Sequence, residues 1–79
     1  MSRYALLICR SQTEAVGLRR HLTQMGVQGE VTRPPRHART ESCAWAVRVS
    51  AAQKDTALYR LRQLGLSPCR VLPDEGAGV

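Results

Sequence analysis

A chain of 79 residues carrying a net charge of +6, from 12 Lys and Arg against 6 Asp and Glu, holds at most one domain with a thin core. Its 43% hydrophobic content excludes a disordered chain. No apolar run approaches the roughly 18 residues of a membrane span, so a cytoplasmic protein with no membrane attachment is expected.

Tyr4–Cys9 is an apolar run of strand length, broken by Arg10. Ser11-Gln12-Thr13-Glu14 matches a capping box, in which a hydroxyl and a carboxylate satisfy the open amides of a helix start. Ala15, Leu18, Leu22 and Met25 then form one apolar helical stripe, and Gly26 supplies the stop. Val27–Thr32 reads as a weaker strand, placed at a sheet edge by Gly29 and ended by Pro34-Pro35. Residues 36–42 form a polar loop. In the strand Cys43–Val49, parity turns Trp45, Val47 and Val49 to the core, with Cys43 on the same side at the strand's start, and Arg48 to water. Ser50-Ala51-Ala52-Gln53 repeats the capping-box pattern, Ala57, Leu58, Leu61 and Leu64 repeat the stripe, and Gly65 repeats the stop. Pro68–Leu72 is the last strand, and residues 74–79 form a disordered tail.

The two halves are copies of one pattern. Ser11 to Gly26 has the same spacing as Ser50 to Gly65, and the shift that aligns them also matches Glu14 with Gln53, Leu22 with Leu61 and Met25 with Leu64. Each half is strand–helix–strand, so residues 1–73 are expected to form a single α+β domain of ferredoxin-like type, βαββαβ. Right-handed crossovers order the antiparallel sheet 4-1-3-2, with both helices on one face.

That topology brings the three cysteines to one end of the sheet: Cys9 closes the first strand, Cys43 opens the third and Cys69 lies near the start of the fourth. An odd cysteine count without a CxxC pair gives neither a disulfide framework nor a zinc spacing, even with His37 added, so neither metal nor cofactor is expected. The first helix starts at the same end, where Ser11 and its open amides favour an anion. Arg36 and Arg39 bracket His37 in the preceding loop, and Ser42 directly precedes Cys43. These are the settings that lower a thiol pKa from about 8.5 into the range of roughly 3.5–7.5. Cys43 is therefore the candidate reactive thiol, supported by Arg36, His37, Arg39, Ser42 and Ser11. Cys9 reads as a small core residue, and Cys69 as either a core residue or a second, resolving thiol.

The order strand, Ser cap, helix, Gly, then Pro35-Arg36 and Ser42-Cys43 leading into a strand, resembles the selenium/sulfur carrier protein-like family over Tyr4–Leu72. Relatives carry Gly after that Cys, where this chain has Ala44. The resemblance implies that Cys43 is the carrier residue, bearing sulfur or selenium as a persulfide or selenosulfide. It also implies a cysteine-desulfurase-like donor and a sulfur- or selenium-accepting protein as partners. Two other classes share the topology. A nucleic-acid-binding module fits the charge, but such domains stack bases on aromatic residues of the central strands, and here those strands hold only Tyr4 and Trp45. A regulatory or interaction module dimerising through a sheet edge would leave Cys43 a bystander. The oligomeric state is open at this point.

Overall fold

A computed structural model describes residues 3–34, 36 and 44–74 of the chain. Its elements in order are β1 (Tyr4–Cys9), α1 (Gln12–Gln24), β2 (Gly29–Thr32), β3 (Trp45–Ser50), α2 (Lys54–Gln63) and β4 (Arg70–Asp74). The sheet order is β2-β3-β1-β4 with every pairing antiparallel, the ferredoxin-like arrangement that the internal repeat implies.

The register fixes two faces. Ala5, Leu7 and Cys9 of β1, with Val47 and Val49 of β3, join Ala15, Leu18, Leu22, Ala57 and Leu61 of the helices in one core cluster. Burying side chains such as Leu7, Leu22 and Leu61 contributes about 1.5–3 kcal/mol each, which is the main stabilising contribution available to so small a domain. Trp45 packs against this cluster, as strand parity requires. On the opposite face Leu6, Ile8 and Ala46 are also buried, with Cys69 and Leu72 packed against them. Arg48 lies on that second face, but it does not simply face water. Its Nη2 sits 2.8 Å from Glu30 Oε2 on the neighbouring strand, and its guanidinium lies 5.2 Å from the centroid of the Tyr4 ring.

Both helices stop alike. Gly26 and Gly65 adopt φ +82° and +76°, a left-handed conformation open to glycine at little cost. Beyond each, an amide reaches back across the final turn: Val27 N–H donates to Leu22 O at 2.8 Å and Leu66 N–H to Leu61 O at 2.9 Å. With the bonds from Gly26 N–H to Thr23 O and from Gly65 N–H to Arg62 O, these are Schellman closures.

The helix starts differ, and here the repeat misleads. Ser11 has extended backbone and its Oγ accepts the Glu14 N–H at 3.1 Å, a true N-cap. Ser50 instead finishes β3 opposite Tyr4, and its Oγ accepts from Ala52 N–H at 3.2 Å. Ala51 N–H is taken by Arg3 O, so the chain passes through a turn over 51–53 before α2 begins at Lys54. Gln53, the residue before α2, makes no side-chain cap bond. Leu64 also departs from expectation: at the end of α2 it is 55% exposed, and Leu66 beyond the Schellman turn packs on the core in its stead.

Strand limits shift by small amounts. β2 starts at Gly29, since Val27 belongs to the helix closure, and it does form a sheet edge. β3 starts at Trp45, and β4 runs from Arg70 to Asp74 with Pro73 inside it. Proline is tolerated there because β4 is the other edge strand.

Candidate functional site

Of the residues singled out in the sequence, Ser11, Arg36 and Cys69 are described structurally. Cys43, His37, Arg39 and Ser42 lie outside the described residues, as does the tail beyond Asp74. The frame on which the candidate thiol is hung is therefore what the geometry reports.

That frame is one end of the sheet. Cys9, the last residue of β1, pairs with Trp45, the first residue of β3. Cys69 N–H donates to Ile8 O at 2.7 Å, which ties the approach to β4 to the same end. Only Arg10 and Ser11 separate Cys9 from the start of α1, so its first turn rises from this rim. Ala44, the residue bonded to Cys43, is half-buried and leads directly into Trp45.

The two described cysteines occupy opposite faces of that rim. Cys9 is fully buried on the helix side, and its Sγ donates to Leu7 O at 3.4 Å, which fits the small core residue expected of it. Cys69 is half-buried and packs on the other face, against Leu6, Ile8 and Ala46. A shallow cleft that Cys69 helps to line is also lined by Leu58, Arg62, Pro68 and Arg70 among others, so two arginines, from the end of α2 and the start of β4, share it with this cysteine. The sequence places Cys69 at this end of the sheet without assigning it a face.

The charges at the rim divide into engaged and exposed groups. Glu14, in the first turn of α1, accepts the Arg10 N–H at 3.4 Å and lies 3.7 Å from the Arg10 guanidinium. The positive end of the helix thus already has a carboxylate of its own, which reduces what it offers a further anion. Ser11 is committed as the N-cap through its acceptor oxygen. Arg33 stacks over the Trp45 ring at 4.8 Å from guanidinium carbon to centroid, a contact between β2's end and β3's start that no sequence pattern marks. Arg36 is exposed. Among the described residues no group of His, Cys, Asp and Glu is arranged to hold a metal ion, and no helix is long and apolar enough to cross a membrane.

Comparison with known proteins finds no matching family model, no matching curated protein and no matching solved structure. The likeness to selenium/sulfur carriers accordingly rests on the residues quoted for it, and the function is argued from chemistry.

Proposed function

We propose that the protein is a sulfur or selenium carrier whose working group is the Cys43 thiol. The observation that supports the reading best is the pairing of Cys9 with Trp45: the strand that Cys43 leads into begins beside the end of β1, next to the first turn of α1. Around that rim Arg10 follows β1, Arg33 follows β2 and Arg70 opens β4, and Arg36 is exposed in the segment that leads towards Cys43. Positive surroundings favour the thiolate, the form that reacts.

In the transfer step the Cys43 thiolate attacks the outer chalcogen of a donor persulfide or its selenium counterpart. A bond from Cys43 Sγ to that atom forms as the donor's own sulfur–chalcogen bond breaks, and the donor departs as its thiolate. The step follows thiol–disulfide exchange logic and requires no external oxidant or reductant. The loaded cysteine ends in a terminal –S⁻ or –Se⁻, an anion that guanidinium groups stabilise through charge-assisted hydrogen bonds. Delivery repeats the exchange with an acceptor protein.

Intact mass spectrometry after incubation with a small-molecule persulfide tests this. The native chain and Cys69→Ser are expected to gain one sulfur, which dithiothreitol removes, while Cys43→Ser gains none. Failure of the native chain to gain mass, or an equal gain in Cys43→Ser, would sink the carrier reading.

A further inference from the structure

At the end of the sheet away from the cysteine rim, the start of β1, the start of β2 and the end of β3 meet the second half of α1 around an open cleft of about 540 Å³. It is lined by Tyr4, Arg19, Gln28, Glu30, Arg48 and Gln53, together with Gly29 and the hydroxyls of Thr23 and Ser50. The volume falls within the range of roughly 300–1,000 Å³ found for small-molecule sites. From these groups we infer that the cleft is a binding site for a small polar monoanion carrying a carboxylate or a phosphate.

The charge balance of the lining points to the ligand class. Three charged side chains face the cleft. Arg48 and Glu30 lie 2.8 Å apart and neutralise each other, and the Tyr4 ring holds the Arg48 guanidinium from the other strand. Arg19 remains: no acidic group among the described residues pairs with it. Two ordinary explanations for a helical arginine do not apply to it. The positions three and four before it are Val16 and Ala15, and those three and four after it are Leu22 and Thr23, so it has no helical ion-pair partner. It also lies before the last turn of α1, where a cation would complement the helix dipole; His21 holds that place.

Its position is set by the strand beneath it. Gly29 has no side chain, and a Cβ there would stand 3.8 Å from Arg19 Cγ. The arginine stem therefore rests over bare backbone at the sheet edge, which carries the guanidinium to the cleft. The remaining polar groups supply hydrogen bonds rather than charge. Ser50 Oγ is used as an acceptor by Ala52 N–H, which leaves its proton to donate. Gln28 and Gln53, both exposed, present amides that donate and accept. One net positive charge amid neutral donors and acceptors matches an oxyanion with further polar groups. It matches neither an apolar ligand nor a cation.

The site is separate from the thiol chemistry, and the experiment keeps them apart. Two-dimensional ¹H–¹⁵N spectra of the full chain are recorded during titration with inorganic phosphate and, separately, with acetate, with chloride matching the ionic strength. Saturable shifts are expected at Gln28, Gly29, Glu30, Ser50 and Gln53; the anion that saturates distinguishes a phosphate from a carboxylate ligand. Arg19→Gln should weaken that binding by about tenfold or more, the loss of a charge-assisted hydrogen bond. Arg20→Gln, on the same helix but outside the lining, and Cys43→Ser should bind as the native chain does. Shifts that chloride reproduces, that fail to saturate with either anion, or that fall equally in Arg20→Gln overturn the proposal.

Discussion

Gly17 and Gly29 show how differently one missing methyl group acts at two places. Gly17 lies within α1, and a Cβ built on it meets nothing within 4 Å. Nothing described in the fold requires glycine there, so Gly17→Ala should raise stability by about 0.5–1 kcal/mol through helix propensity and a less flexible unfolded chain. At Gly29 the same Cβ would stand 2.9 Å from Val47 Cγ1 and 3.4 Å from Leu22 Cδ1. Both neighbours are fully buried, so making room for that Cβ means shifting core side chains. Gly29→Ala is expected to cost about 1–3 kcal/mol as an overpacked core. Urea unfolding of the two variants beside the native chain checks both signs; equal shifts, or a stable Gly29→Ala, would show that β2 sits farther from α1 than described. The sequence marked Gly29 as an edge residue, correctly, but it held no sign of this close approach, which depends on how α1 crosses the strand.

At the scale of elements, the second capping box was the instructive error. Ser11-Gln12-Thr13-Glu14 and Ser50-Ala51-Ala52-Gln53 share a pattern, yet only the first caps a helix. The difference is tertiary: β3 extends through Ser50 to pair with Tyr4, and Arg3 O captures the Ala51 amide. A local pattern is overridden when the strand before it claims its first residue. Ser11→Ala should therefore lower stability by about 0.5–2 kcal/mol, the usual cost of a lost N-cap. Ser50→Ala loses one exposed turn contact and should cost markedly less. Thermal and urea melts that ranked the two alike would mean that Ser50 caps α2 in solution. The helix ends, by contrast, were legible because a glycine with positive φ and the residue after it carry the whole closure locally. The candidate thiol site was legible only as topology. Strand order alone brings Cys9 and Cys69 to one rim, but the expected strand Pro68–Leu72 starts two residues before the observed β4, so the alternation that assigned a side to Trp45 was not a sound guide for Cys69.

For the molecule as a whole, the question is what a charge of +6 on a ferredoxin-like sheet is for. Domains of this topology that read RNA place aromatic rings on the open face of the two central strands. Here that face carries Leu6, Ile8 and Ala46, all buried, and Trp45 points to the helices under Arg33. Tyr4 alone offers an exposed ring there, at 43% exposure, at the far end of β1 and with Arg48 already against it. Single-stranded RNA should therefore meet this protein only through charge: binding that weakens steeply as salt rises, without preference for base. Base stacking on an aromatic side chain is worth about 1–3 kcal/mol, at least a fivefold change in affinity, so Tyr4→Ala should shift RNA binding by less than that. The emission of Trp45, the single tryptophan, should likewise stay unchanged as RNA is added. Salt-resistant binding that Tyr4→Ala abolishes, or quenching of Trp45 on addition of RNA, would instead make the sheet a nucleic-acid platform and leave the cysteine rim without the leading role proposed for it.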